Sequence, residues 1–202
     1  MGALALLPLQ LQAAHAADAP PLQLQDDEQR PLELARPAQR IVSLSPGATA
    51  MLFAAASGAR EEVALLLAAG ASLNVVDARG HNVLHAAAAQ AGTDVLTPLL
   101  ASDLSVNKRN KAGETPLMIA AATGHTEVVQ ALLARTPDLN VQNEAGDTAL
   151  ISASRGGYAA ICRLLISAGA DKALRNKSGV SASDIAAGRG FASITQELAG
   201  NS

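Results

Sequence analysis

The sequence predicts an all-α fold: a solenoid of five stacked helix-turn-helix units, preceded by a short β-hairpin-like extension. Three observations predict it. Glycine recurs with a period of 33 residues, and two positions after each of these glycines comes a residue type that caps helix N-termini. Apolar residues make up 49% of the chain but aromatic residues only 1%. A core of Leu, Val, Ile and Ala suits closely packed helix pairs better than a β-sandwich, in which aromatic and β-branched residues dominate.

The first element, residues 1–16, has the pattern of a secretory signal peptide. A short apolar run, Ala3–Leu11, leads to the small-residue site Ala14-His15-Ala16. We therefore expect cleavage after Ala16 and a periplasmic location. The segment begins without a basic residue, so an Ala/Leu-rich tail with no export role is the alternative. No apolar stretch reaches the roughly 20 residues that span a bilayer, and no membrane insertion is expected.

The second element, residues 17–44, does not repeat. We interpret it as a linker with a small β-hairpin, because leucines alternate with polar residues on both sides of a charged turn; these are Leu22, Leu24, Leu32 and Leu34. The run from Arg40 to Ser45 predicts a further strand. Such a ribbon is marginal by itself, so we expect it to cover the apolar flank of the first repeat unit.

The repeat units are predicted to span 45–76, 77–109, 110–142, 143–175 and 176–202. Each runs through a turn, a short helix, a loop, a longer helix and an extended segment. The turn glycines are Gly47, Gly80, Gly113, Gly146 and Gly179. The predicted N-caps are Thr49, Asn82, Thr115, Thr148 and Ser181. Left-handed glycines are expected to end the first helices at Gly58, Gly92, Gly124, Gly157 and Gly190.

Three departures from the repeat predict local changes. Thr136-Pro137 stands where another unit has Gly169-Ala170, and a β-branched residue before proline resists both helical regions of the backbone, so the preceding helix should end near Ala134. Pro98 falls inside a predicted second helix, which it should bend. The last unit should be a C-terminal cap with a wettable outer face, since it carries polar or small residues at Thr195, Glu197 and Ala199.

The third unit carries a family resemblance. Its sequence Gly113-Glu-Thr-Pro-Leu-Met-Ile-Ala-Ala-Ala-Thr-Gly-His-Thr-Glu-Val-Val-Gln-Ala-Leu-Leu133 closely resembles the ankyrin repeat, and Ala68-Ala-Gly-Ala-Ser-Leu-Asn74 resembles its closing segment. The resemblance extends over residues 45 to 200. It implies an L-shaped solenoid whose turn tips and first helices line a concave surface that binds a protein partner.

The resemblance also implies which residues contact that partner, position by position. They are Arg79, His81, Gln90, Arg109, Lys111, Glu114, Thr123, Gln142, Glu144, Asp147, Arg155, Arg175, Lys177 and Arg189. Their charges form basic, acidic and basic blocks, so a partner with complementary patches is expected. We expect a monomer that acts as scaffold, stabiliser or inhibitor of a protein in the bacterial envelope.

Other chemistry is not favoured by the sequence. The net charge of −3 and the pI near 5.8 argue against nucleic acid, and no catalytic motif or phosphate-binding loop is present, so we expect neither an enzyme nor a cofactor. His81 and His85 have a spacing that can bind a metal on a helix, but His85 occupies an ankyrin position that usually makes a local hydrogen bond. Cys162 aligns with Val129 and should be a buried apolar residue.

A second resemblance covers residues 36 to 54. Arg36-Pro-Ala-Gln-Arg-Ile-Val-Ser-Leu-Ser-Pro-Gly-Ala-Thr-Ala-Met-Leu-Phe-Ala54 is similar to the first strand and helix of periplasmic proteins that bind cobalamin, haem or siderophores. Nothing after Gly58 continues it, so we interpret it as a borrowed export leader. The alternative is a remnant or accessory component of haem, cobalamin or siderophore uptake that binds a small ligand.

Overall fold

A computed structural model describes residues 23–25, 31–33 and 48–200 of the protein. Ten α-helices lie in this part of the chain. They are α1 Ala48–Ser57, α2 Arg60–Ala68, α3 Val83–Ala88, α4 Leu96–Leu100, α5 Pro116–Thr123, α6 Thr126–Leu133, α7 Ala149–Gly156, α8 Ala159–Ser167, α9 Ala182–Gly188 and α10 Ala192–Ala199. The helices pair within each unit and stack on the neighbouring unit, the first helices in one row and the second helices in another. The predicted all-α solenoid is confirmed.

Two short strands precede the helices. β1 is Gln23–Gln25 and β2 is Pro31–Glu33, and they pair antiparallel with Leu24 opposite Leu32. The signal-peptide residues 1–16 and the strand expected over Arg40–Ser45 lie outside the described residues. The predicted turn at Gly47 lies outside them as well.

One continuous apolar core runs between the two rows of helices. Each unit contributes small residues from its first helix, such as Ala120 and Ala121, and Val, Leu or Ile from its second, such as Val128 and Leu132. These side chains are essentially fully buried. Because Ala fills the contact between the first helices, neighbouring units approach closely, as the composition predicts.

Four predicted N-caps are confirmed, and the fifth is wrong. Asn82, Thr115, Thr148 and Ser181 each accept a hydrogen bond from the backbone amide three residues on. α1 instead begins at Ala48, so Thr49 lies inside the helix. Ala has the highest intrinsic helix propensity, which favours extending this helix one residue toward the N-terminus.

Four of the five helix-ending glycines are also confirmed. Gly58, Gly124, Gly157 and Gly190 have positive φ, but Gly92 does not, among the described residues. In the second unit α3 already ends at Ala88. The glycine comes one position later in this unit than in the others, within a longer loop, and the helix ends on Ala89 in a right-handed conformation instead.

The second helices are not longer than the first in every unit. α1 has 10 residues and α2 has 9, while α3 has 6 and α4 has 5. Pro98 is the third residue of the five-residue helix α4 and so lies in its first turn. Amides of the first helical turn have no partner within the helix, so proline there removes no helical hydrogen bond. The expected bend is therefore replaced by a shortened helix.

Of the two predictions for the segment around Thr136, one is confirmed and one is wrong. α6 ends at Leu133 with Ala134 as its C-cap, which confirms the early end. Thr136 itself has φ +45°, so it adopts the left-handed region that we expected it to resist. The equivalent Gly70 and Gly169 are left-handed as well, and Pro137 is buried. The packing of the closing segment thus imposes on threonine a backbone conformation that suits glycine.

Candidate functional site

The turn tips of the second to fifth units are built in the same way. Asn110 Oδ1 accepts hydrogen bonds from the amides of Ala112 at 3.0 Å and Glu114 at 2.8 Å. Asp77, Asn143 and Asn176 make the same pair of bonds in their own turns. Short polar side chains stabilise turns in this manner, and a left-handed glycine closes each tip. The four turn tips therefore share one geometry.

Backbone hydrogen bonds connect each tip to the next. The amide of Lys111 donates to the carbonyl of Arg79, the amide of Glu144 to Ala112, and the amide of Lys177 to Ala145, each at 2.9 Å. The three donors are 33 residues apart, so they occupy the same position in successive units. The tips therefore form a continuous, fixed row, which we call the tip row (residues 77–81, 110–114, 143–147 and 176–180).

Three of the predicted contact residues strengthen this row. Arg109 donates to the carbonyls of Gly113 at 3.1 Å and Gln142 at 2.8 Å. Gln142 donates in turn to Gly146 at 2.7 Å and Arg175 at 2.8 Å. Arg175 donates to Gly179 and forms an ion pair of 2.7 Å with Asp184. These side chains join one unit to the next, and their common 33-residue spacing was a signal for that role that the sequence reading missed.

Asp147 and Arg155 also bond within the protein. Arg155 donates two hydrogen bonds to the Asp147 carboxylate, at 2.6 and 2.9 Å, and Asn176 donates a third at 2.9 Å. Asp147 is only 4% exposed. Burial alone would raise the pKa of Asp147, but the hydrogen bonds from Arg155 and Asn176 and the positive charge of Arg155 outweigh it and lower this pKa. The predicted acidic block thus has one charge neutralised internally.

The two histidines of the second unit stack on each other. Their ring centroids are 5.6 Å apart. His81 Nδ1 lies 3.2 Å from Asp77, and buried His85 completes a capping box with Asn82 while its Nε2 lies 3.0 Å from the Glu114 carbonyl oxygen. Burial lowers the pKa of His85, and the nearby charge of His81 lowers it further. The predicted local hydrogen bond of His85 is confirmed.

Within residues 48–200 no group of three or more His, Cys, Asp or Glu could hold a metal ion.

The remaining predicted contact residues differ in how far their side chains are bonded within the protein. Glu114 is half-buried and accepts a hydrogen bond from Asn110, while Gln90 and Thr123 bond to the backbone carbonyls of Ala56 and Ile119. Five exposed side chains have no hydrogen bond or ion pair to any other described residue. They are Arg79, Lys111, Glu144, Lys177 and Arg189. These are the groups of the predicted surface that are free to bind a partner.

The surface beside the tip row is made of very small side chains. Ala56, Ala89 and Ala122, which share one position of the first helices, are exposed, as is Gly188 in the last unit. Arg155 replaces them in the fourth unit and lies over Asp147. A low floor of alanine therefore runs along the first helices from α1 to α5, bordered by the charged tips, and ends at Arg155 on α7.

The described surface also has two hollows. One, of about 450 Å³, is bordered by Leu73–Val76 and Asp103–Ser105; the other, of about 460 Å³, lies between α8 and α10. Both are open to solvent and contain neither aromatic nor histidine side chains.

Cys162 is buried as predicted, and its burial raises the pKa of its thiol. None of the helices described is long and apolar enough to cross a bilayer.

Comparison with known proteins agrees with this geometry. Residues 84–176 match the family model for ankyrin repeats, in three copies. The match runs from α3 to α8, so it covers the helices of the second, third and fourth units, and it ends at the first residue of the last turn tip. No curated protein matches the chain.

Proposed function

We propose that this solenoid, of which residues 84–176 match ankyrin repeats, is a non-catalytic module that binds a protein partner through the tip row and the floor of first helices. Ankyrin repeats are protein-interaction modules. One observation supports the surface in particular: free charged side chains stand on tips that successive backbone hydrogen bonds hold in place. A surface fixed before binding loses little conformational entropy on binding.

The area available is sufficient for a specific complex. A standard interface buries about 800 Å² on each partner. Four tips and five first helices, spaced about 10 Å apart, present a strip about 40 Å long. A strip of that length and about 20 Å width reaches the standard size without a contribution from the second helices.

We place the partner in the bacterial envelope. The support for this location is the signal-like pattern of residues 1–16 and the similarity of residues 36–54 to periplasmic binding proteins. Within the second segment, Ala50, Met51 and Ala54 are buried in the core of the first unit. These side chains therefore serve the solenoid, and the small-ligand alternative has no described site of its own.

A blocking experiment tests the proposed surface. The substitutions Ala89→Arg and Ala122→Arg place two long side chains on the floor, where both residues are exposed. Affinity capture from an envelope extract, followed by crosslinking and quantitative mass spectrometry, should show loss of at least about nine tenths of the proteins bound by the unaltered chain, which corresponds to more than about 1.4 kcal/mol.

The matched control is Ala68→Arg with Ala101→Arg, which adds the same groups at exposed positions at the C-terminal ends of two second helices, α2 and α4. It should leave capture intact, and both variants should melt as the unaltered chain does. An equal loss of captured proteins with the control variant would refute the proposed binding surface. The same preparation reveals the N-terminus, which should be Ala17; an intact Met1 would refute export.

A further inference from the structure

The free charges on the tip row form a regular pattern. Lys111, Glu144 and Lys177 occupy one position in three successive units and are all exposed. Their backbones belong to the hydrogen-bonded row, so their spacing equals the spacing of the units. No ion pair within 4.0 Å joins them to one another or to another described residue. Charges of alternating sign therefore stand about 10 Å apart along a fixed line.

Neighbouring groups leave this pattern exposed and do not cancel it. The nearest acidic side chain in the third unit, Glu114, is half-buried and bonded to Asn110, and Asp147 is neutralised by Arg155. Asp184 is held by Arg175. Arg79, free and exposed, adds a positive charge at the beginning of the row. The exposed carboxylate of Asp77 lies in the same tip and offsets part of that charge, so the row is most basic around Lys111 and Lys177, although the chain as a whole carries a net charge of −3.

We propose that the tip row recognises an extended peptide segment whose charges alternate acidic, basic, acidic at intervals of about three residues. In the extended polyproline II conformation a chain has three residues per turn and rises about 3.1 Å per residue, so side chains three residues apart lie on one face at a spacing of roughly 9 Å, close to the spacing of the tips. The proposal rests on the proposed function and adds the chemistry of the partner. The pattern reads the same in both directions, and the segment can therefore bind in either orientation.

The alanine floor fits an extended peptide segment better than a nucleic acid. In polyproline II conformation two of every three side chains point away from the tips, and the low side chains of Ala89 and Ala122 leave room for those that face the floor. Single-stranded nucleic acid is bound by aromatic platforms in positively charged grooves. The floor carries no aromatic residue beyond Phe53 at one end of the described array, and Glu144 at the centre of the row would repel phosphates.

The test uses synthetic twelve-residue peptides and the full chain. The first peptide carries Glu, Lys and Glu at three-residue intervals between Gly, Ser and Thr; the second has the same composition with its three charges adjacent; the third has the signs inverted. Fluorescence anisotropy at low salt should show the first peptide bound about tenfold more tightly than the other two, and 0.5 M salt should remove the difference.

A charge-inverted chain makes the test specific. The triple variant Lys111→Glu, Glu144→Lys, Lys177→Glu should prefer the inverted peptide by a similar factor. The control inverts Arg60, Glu127 and Lys108, which are exposed and lie outside the tip row; it should keep the original preference. Equal binding of all three peptides, or an unchanged preference in the triple variant, would overturn the proposal.

Two further outcomes are also decisive. Tighter binding of poly(U) RNA than of the first peptide would overturn the proposal in favour of a nucleic acid. If the Ala89 and Ala122 variant loses partner capture but the triple variant does not, the proposed function stands and the charge pattern fails. If both variants still capture the partner proteins, the proposed binding surface and the charge pattern are both refuted.

Discussion

Thr136 has the backbone conformation least suited to its side chain. Its φ of +45° is the only positive value at a non-glycine residue within the described part of the chain. The same position in two other units is Gly70 or Gly169. A left-handed conformation at a β-branched residue costs on the order of 1 to 3 kcal/mol, so part of the folding free energy is used to hold this turn.

Replacing this threonine by glycine should therefore stabilise the protein. Thr136→Gly removes the strain but increases the entropy of the unfolded chain, and we expect a net gain of about 1 kcal/mol. Urea unfolding followed by far-UV circular dichroism should give a higher midpoint with an unchanged slope. Thr123→Gly, the same change inside α5, should lower the midpoint. A midpoint for Thr136→Gly at or below that of the unaltered chain would show that the turn is not strained.

The turn, not the helix, is the element that connects neighbouring units on the binding surface. Each tip is closed by an Asx side chain and a left-handed glycine, then joined to the next tip by one backbone hydrogen bond. Glycine is needed for two different reasons in two of these turns. At Gly179, with φ +74°, a Cβ would meet nothing within 4 Å, whereas at Gly146, with φ +81°, it would lie 2.6 Å from the Lys177 nitrogen.

This difference separates backbone strain from contact between units. Gly179→Ala should destabilise the protein by about 1 kcal/mol through strain alone. Gly146→Ala carries the same strain and must also displace the tip of the last unit, so we expect it to cost at least about 1 kcal/mol more. Thermal unfolding measures both, and hydrogen exchange should show faster exchange at the Lys177 amide in Gly146→Ala only. Equal destabilisation would mean that the contact between these tips contributes nothing.

At the scale of the whole molecule, each unit contacts only its neighbours, so any group shared by two units influences the entire array. His85 is such a group, since it caps α3 in the second unit and bonds to Glu114 in the third. Its burial lowers its pKa, and the charges near it are those of His81, Glu114 and Asp77. The folded protein therefore resists a proton that the unfolded chain accepts at its ordinary pKa of about 6.5.

The free energy of unfolding should consequently fall as the pH drops below about 6.5. His85→Gln should remove this part of the pH dependence, while glutamine preserves the capping box. Denaturant titrations between pH 7.5 and 5 measure the effect. An equal change in the free energy of unfolding with pH for both proteins would contradict it. At still lower pH, a second loss is expected as Asp147 gains a proton, because its folded pKa lies below its ordinary value and its stabilising pair with Arg155 then breaks.

Much of this architecture follows from the sequence alone. The 33-residue period, the N-caps from Asn82 onward and the buried position of Cys162 are all encoded locally, because capping and helix-ending conformations depend on residues a few positions apart. The early end of α6 before Pro137 follows from the same local rules.

The tertiary structure decided which side chains remain free. The sequence predicts Arg109 and Gln142 as part of a binding surface, yet each also bonds to a carbonyl group 33 residues away, which is near only when the units stack. The same stacking neutralises Asp147 and imposes a left-handed turn on Thr136. The sequence by itself determined the repeated unit, because its signals are local. Only the stacked array decided the line of tips with its charges at Lys111, Glu144 and Lys177, because the backbone hydrogen bonds that connect one tip to the next join different units.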